Sequence, residues 1–372
     1  MPITLDGSNG ITTPMYNGSI TANAVTPSVN MKNRIINGAM VIDQRNAGAS
    51  VTPANGDYTL DRFQAILSAS SKYSVQQNAG SVTPPAGFTN YLGVTSLSAY
   101  TVGASERFQI RQYIEGFNTA DLDFGKSTAK TITLSFWVRS SLTGTFGGVL
   151  QNSAQSRSYP FTYTINSANT WEFETITIAG DTSGTWIGAT NGIGIQVAFS
   201  LGAGSSVSGT AGAWTGSGLS SATGATSVVG TNGATFYITG VQLEVGSTAT
   251  SFDYRPYGTE LALCQRYYIN YGNKGSYSAS APYLRYPLFN QNTISSGLTF
   301  AIAQYPVQMR IHNPTFTAYA AYDGSASNLS NTNWGPFTDA QNQRATPIQK
   351  FTNTMTTNQN IIYLDFDISA EL

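Results

Sequence analysis

Short runs of alternating apolar and polar residues dominate the chain, cut by glycine and by clusters of Ser, Thr and Asn, while helical periodicity is almost absent. Such runs, spaced near ten residues apart, predict an all-β sandwich or barrel. In Thr131–Arg139 (TITLSFWVR) the apolar Ile132, Leu134, Phe136 and Val138 share one face of a period-two strand. Thr133, Ser135, Trp137 and Arg139 share the other, and a tryptophan beside an arginine marks a partly open surface. Trp171–Ile178 and Gly194–Leu201 read as further strands. Thr235–Leu243 turns Phe236, Ile238 and Val241 inward, with Gly240 at a bulge.

One helix is predicted, over Glu260–Tyr268 (ELALCQRYY), with Thr259 as N-cap and Glu260 at the positive end. Leu261, Cys264 and Tyr268 form its apolar stripe, and Cys264 reads as a small buried residue. Composition changes at this point, which makes 256–268 a linker helix between two domains. Beyond it, residues 256–372 hold eleven of the twenty-one tyrosines. Strands are expected there at Tyr283–Phe289, Leu298–Tyr305, Thr315–Tyr322, Ile348–Met355 and Asn360–Asp367.

Two segments break the pattern. Residues 182–243 contain no Asp, Glu, Lys, Arg or His, and Gly202–Gly233 carries nine glycines. This is either a low-complexity linker or a long ordered loop; Trp214, Leu219, Val228 and Val229 are anchors that favour the loop. Residues 1–30 hold one charge, Asp6, and no periodicity long enough for a core. Residues 1–32 therefore read as an extended arm ordered by a partner.

Charged residues are only 10 % of the 372, with 18 Lys+Arg against 19 Asp+Glu. A net charge of −1 gives no basic face for neutralising phosphates, so nucleic acid is not an expected partner. Apolar residues at 41 % suffice for a large core. No apolar run is long enough to span a membrane. The first ten residues have neither a basic nor an apolar stretch, so synthesis in a bacterial cytoplasm without a signal peptide is expected.

Chemistry is sparse. One cysteine and one histidine, His312, exclude an intrachain disulfide and a two-histidine zinc site. No nucleophile elbow or phosphate loop is present. The acids Glu106, Glu115, Asp121, Asp123 and Asp181 are the material for a two-carboxylate glycosidase, against a structural reading of each. Asp121–Gly125 (DLDFG) loosely echoes a calcium loop but lacks the closing glutamate. Neither a cofactor, a metal nor a catalytic residue is assigned. What remains is a surface poor in charge and rich in Tyr, Asn, Gln, Ser and Thr, suited to neutral-saccharide recognition.

An ordered series of motifs carries a resemblance. Asn33–Met40 (NRIINGAM), Gln44–Arg45, Tyr58–Phe63 (YTLDRF) and Ile114–Asn118 (IEGFN) resemble a module of bacteriophage tail-fibre and receptor-binding proteins. Leu134–Arg139, Ser158–Tyr163, Thr170–Glu172, Gly240–Gly246 (GVQLEVG), Phe252–Pro256, Tyr257–Tyr268 (YGTELALCQRYY) and Ile368–Leu372 (ISAEL) continue it. Phe63 stands where such proteins usually have Trp, and three residues rather than two separate Met309-Arg310 from Pro314. The resemblance implies a jelly-roll module like carbohydrate-binding modules (33–255), the linker helix (256–268) and a smaller β-rich C-terminal domain (269–372). It implies a virion appendage, often trimeric, and no catalytic residues.

The expected function is a non-enzymatic tail fibre that binds a bacterial surface glycan as a homotrimer, with the arm docked to other tail or baseplate proteins of the virion. A polysaccharide-degrading tailspike and a purely structural head or collar fibre are the alternatives. Uncharged Gly/Ser-rich surface permits close chain approach, and repeated weak sites gain avidity. Receptor contact is expected in the C-terminal domain, through Tyr283, Tyr286, Tyr319, Tyr322 and Trp334 with Arg285 and Asn331 as polar partners. Trp334, in the turn-rich Asn331–Gly335, is the leading stacking platform.

Overall fold

The computed structural model describes residues 31–271, 300–311, 314–322 and 361–372, with strand segments at 4–6, 10–12, 286–289, 328–329, 334–336 and 345–350. Eleven strands, numbered along the chain, form two facing antiparallel sheets. The six-stranded sheet runs β8 (Ser158–Ile165), β7 (Gly144–Gln151), β10 (Ile193–Ala203), β5 (Arg107–Glu115), β2 (Phe63–Leu67), β1 (Tyr58–Leu60). The five-stranded sheet runs β9 (Glu172–Ile178), β6 (Ile132–Ser140), β11 (Thr235–Val245), β4 (Leu92–Ser96), β3 (Tyr73–Gln77). The chain crosses between sheets after most strands, and the result is a jelly-roll sandwich.

Alternation decides which side chains enter. Ile132, Leu134, Phe136 and Val138 of β6 are all fully buried, facing Ile195, Val197, Phe199 and Leu201 of β10. Phe136 and Phe199 meet edge-on at 5.0 Å across the gap. In β11 the inward set shifts from Phe236 and Ile238 to Val241 and Leu243, a change of parity. Gly240 makes it possible: its φ of 61° lies in the left-handed region, and the pairing with β6 slips between Thr239 and Gln242.

The glycine-rich segment is an ordered loop laid over the outer face of the six-stranded sheet. Glutamines on that face donate to its carbonyls: Gln109 Nε2 to Ser220 at 2.7 Å and Gln151 Nε2 to Leu219 at 2.8 Å. Val228 and Val229 are fully buried, and Trp214 donates its indole N–H to Ala179 O at 2.7 Å. Close approach needs Gly147 beneath it, where a Cβ would stand 2.6 Å from Ser221 Oγ. Charge is absent here because the segment's polar groups are its own backbone, satisfied by side-chain amides.

Helix α1 spans Tyr257–Gln265 and starts earlier than the sequence suggests. Pro256, not Thr259, occupies the cap position, and its carbonyl accepts from Thr259 N and Glu260 N at 2.9 and 3.0 Å. Proline's fixed φ suits a helix start, which takes precedence over a threonine cap. Tyr268 leaves the helix to open β12 (Tyr268–Tyr271). Cys264 and Tyr267 pack against Ile36 and Ile42, so the helix is seated on the jelly roll.

Beyond it, β12, β19 (Ile361–Ser369), β15 (Thr315–Tyr322) and β16 (Asn328–Leu329) form a sheet in that order, with β13 (Tyr286–Phe289) also on β19. β14 (Phe300–Gln304), β18 (Ala345–Lys350) and β17 (Trp334–Pro336) form a second. Among the described residues the fold is all-β with one α-helix. Near the N-terminus, Thr4–Asp6 and Gly10–Thr12 pair antiparallel. His312 lies outside the described residues.

Candidate functional site

Three of the expected contact residues, Tyr283, Arg285 and Asn331, lie outside the described residues. Tyr286 pairs with Leu364 and Tyr322 with Tyr363, so the two reach opposite flanks of β19 at adjacent register positions. Tyr319 has no direct partner, because the register slips between Ala318 and Ala320. Trp334 is not a turn residue: it opens β17 and pairs with Lys350, a strand position its high β-propensity favours once a neighbouring ladder is available.

The acids proposed for glycosidase chemistry are each committed elsewhere. Glu115 accepts from Arg266 at 2.6 and 3.0 Å and from the Tyr267 hydroxyl at 2.6 Å. Asp181 is held in a two-point pair by Arg157 at 2.6 and 2.7 Å, and Asp121 by Arg34 at 2.7 Å. Gly103 N–H and the Tyr100 hydroxyl hold the Glu106 carboxyl below its usual range. Lys126 does the same for Asp123. A general acid needs the opposite shift. Asp61 has it, pushed up to about 6 by burial, but is sealed beneath Gln44 with 1 % exposure. No group of three or more His, Cys, Asp or Glu able to hold a metal occurs among the described residues.

A different surface stands out. On the outer face of the five-stranded sheet, Phe173 of β9 lies directly opposite Trp137 of β6, ring centroids 5.3 Å apart. Gly240 continues the line, since a Cβ there would meet Phe88 Cζ at 2.6 Å and Trp137 Cδ1 at 3.1 Å. Phe88 then contacts Phe252 at 5.1 Å and Tyr254 at 5.5 Å. Five rings from four separated segments thus form one aromatic strip. Phe173 is 47 % exposed and Tyr254 57 %. A cavity of about 240 Å³ closes its end, lined by Phe88, Phe252, Tyr254, Gly38 and Arg255.

Trp137 differs from Trp171, Trp186 and Trp214 in its indole N–H. Trp171 donates to Thr83 O, Trp186 to Ser183 O and Trp214 to Ala179 O, at 2.7–3.0 Å. The N–H of Trp137 has no acceptor among the described residues, and the side chain is half-buried. An aromatic face with a free donor, beside exposed Phe173 and Thr175, can stack on the C–H face of a sugar and bond a hydroxyl. Sequence reading placed Trp137 on an open strand face but could not join it to Phe88 or Tyr254. Only the sheet order does that.

A larger cleft, about 350 Å³, opens between Thr119–Lys126 and Trp186–Ala189. Its aromatic wall is structural: Phe124 packs on Trp186 at 4.9 Å and on Trp214 at 5.8 Å, closing one end of the sandwich.

No family model matches the chain, and no curated protein does. Solved structures of similar course include the enzymatically active domain of tailspike protein 4 of bacteriophage CBA120, at 11 % identity and a TM-score of 0.32. That match covers 58 % of this chain but only 22 % of the tailspike chain. A family 11 carbohydrate-binding module from Clostridium thermocellum, in complex with a β-1,3-1,4-mixed-linked tetrasaccharide, is 10 % identical with a TM-score of 0.28, covering 54 % of this chain and 98 % of its own. A CBM4 structure is 20 % identical with a TM-score of 0.28, covering 56 % and 98 %. Likenesses of this degree carry no functional weight.

Proposed function

We propose that the chain is a non-enzymatic, glycan-binding component of a bacteriophage tail fibre, and that the aromatic strip on the five-stranded sheet takes a saccharide of the bacterial surface. The observation that carries the glycan reading is Trp137, with a half-open ring, an unused indole N–H and Phe173 beside it. A protein with 10 % charged residues offers such a ligand stacking and neutral hydrogen bonds rather than charge. The virion reading rests on the ordered motif series in the sequence. In it the arm, 1–32, docks to tail or baseplate proteins, and homotrimers present repeated sites.

The test is binding of the full chain to lipopolysaccharide or capsule from cells the phage infects. Trp137→Ala weakens it by about 1–3 kcal/mol if the ring is a central anchor. Unchanged binding by a folded variant removes the strip from the reading. Sustained release of reducing ends from the same polysaccharide overturns the non-enzymatic part.

A further inference from the structure

The opposite sheet carries a feature that a neutral-sugar surface does not require. Arg34, Arg45, Arg62, Arg157, Arg255 and Arg266 each face a carboxylate. Arg111, in the middle of β5 and on the outer face of the six-stranded sheet, has none among the described residues. It is half-buried nonetheless.

Amides hold it instead. Arg111 Nε donates to Gln64 Oε1 at 2.8 Å, and Nη1 lies 3.4 Å from Gln196 Oε1. Both amides are fixed by their own donors: Gln64 Nε2 to Gly56 O at 2.8 Å and Gln196 Nε2 to Asn152 O at 3.0 Å. They therefore present oxygen, not nitrogen, to the guanidinium. Below, the Tyr113 ring centroid lies 4.4 Å from the guanidinium carbon. The site has walls. On one side Gln155, itself 3.4 Å from Gln196 Oε1, abuts the glycine-rich loop at Gly218; on the other stands the turn at Gly56. That loop covers Gln109, two residues back on the same strand face, and leaves Arg111 half-open.

A guanidinium anchored through Nε keeps an Nη edge for a planar anion, the fork geometry that carboxylates match in two-point contact. Partial burial pushes its pKa down, yet it remains charged at any physiological pH. The result is a cation partly stripped of water, positioned by neutral groups and not neutralised. We propose that the Arg111 cluster is a second sugar subsite, selecting a carboxylate-bearing sugar such as a uronic acid, with Gln155 and Tyr113 beside the ring hydroxyls. It is independent of the aromatic strip on the other sheet.

The experiment is calorimetric titration of the full chain with tetragalacturonate and with neutral β-1,4-galactotetraose, at low and moderate salt. The acidic oligomer is expected to bind at least tenfold more tightly. Arg111→Gln abolishes that preference, Arg111→Lys keeps part of it, and Arg139→Gln, an arginine on the opposite sheet, leaves it intact. In unaltered protein the Arg111 Nε–H resonance shifts on titration, a readout that requires no variant to fold. The proposal is overturned by Arg111→Gln binding as tightly as wild type, or by binding that leaves that resonance in place. It is equally overturned if tetragalacturonate, tetraglucuronate and sialyllactose all fail to bind at millimolar concentration, or if inorganic sulfate binds as tightly as the sugar acid.

Discussion

Arg62 and Glu371, 309 positions apart in the chain, meet as a buried ion pair beneath helix α1. Arg62 sits between β1 and β2 at a φ of 71°, in the left-handed region, a conformation that costs a non-glycine residue about 1–2 kcal/mol. Both terminal nitrogens of its guanidinium are engaged: Nη1 on Glu371 and Nη2 on Tyr113 O at 2.6 Å, with the Tyr267 ring 3.5 Å from its carbon. The other oxygen of Glu371 takes Arg45 at 2.5 Å. One carboxylate therefore pairs with two cations of the jelly roll. Arg310, bonded to the carbonyls of Ala370 and Glu371 at 2.6 Å, fixes that segment in place.

Glu371→Ala should accordingly destabilise far more than the loss of an exposed carboxylate does. It leaves Arg62 buried without a counter-charge and Arg45 with only Asp61 nearby, a loss of about 3–5 kcal/mol. Thermal unfolding of the variant should show a clear fall in Tm. A Tm equal to wild type would mean that the pair contributes nothing net.

This junction also explains what was legible in the sequence. Asn33, Asn37, Arg62, Glu115, Arg255, Glu260, Arg266 and Glu371 all belong to the ordered motif series, and the fold brings them together around α1. Arg255 Nη1 reaches Glu260 at 3.3 Å, Asn37 N donates to the same carboxylate, and Arg266 reaches Glu115. These eight residues of the series thus build a joint, while Trp137, Phe252 and Tyr254, which also belong to it, lie in the aromatic strip. Strand alternation at Ile132–Val138 and the Gly240 bulge were readable because period two is local. The aromatic strip was not, because Phe88, Trp137, Phe173 and Tyr254 become neighbours only through sheet order. Phe63 is buried in the core with 1 % exposure, where an indole N–H would need a partner that a phenyl ring does not.

A pH dependence follows from Asp61. Burial raises its pKa to about 6, with Arg45 and the two donors of Gln44 pulling the other way, while the unfolded chain titrates near 3.9. Between those values the folded protein binds the additional proton, so this contribution to stability is present below about pH 4 and lost as pH rises through 6. The full window corresponds to about 3 kcal/mol at most. Glu106 and Asp123 are lowered and act in the opposite sense, so the informative quantity is a difference. Tm of Asp61→Asn minus wild type should grow more positive from pH 4 to 6 and then level off. A flat difference would show that Asp61 is ionised throughout.

The proposed homotrimer is tested by mass. Part of the uncharged glycine-rich segment, the carbonyls of Leu219 and Ser220, is already engaged on the chain's own six-stranded sheet through Gln151 and Gln109. Multi-angle light scattering of the full chain should still give three times the 39.6 kDa mass of one chain. A stable monomer at micromolar concentration would remove the trimer from the proposal.

The proposed receptor contact can lie on either the jelly roll or the C-terminal sheets, and the junction dictates how to test which. Deleting 269–372 would remove Glu371, the partner of buried Arg62 and Arg45, so loss of binding in a truncated chain would report misfolding as readily as a lost receptor site. Point variants avoid this. Trp334 opens β17 in the sheet built on β18, and Tyr286 flanks β19; neither belongs to the described network around Glu371. Trp334→Ala should weaken adsorption to host cells by about 1–3 kcal/mol while leaving Tm and oligomeric state unchanged. Run beside Trp137→Ala, it separates the two surfaces. If Trp334→Ala and Tyr286→Ala both adsorb like wild type while Trp137→Ala does not, contact lies on the jelly roll, and the C-terminal sheets serve as the frame that carries Glu371 back to it.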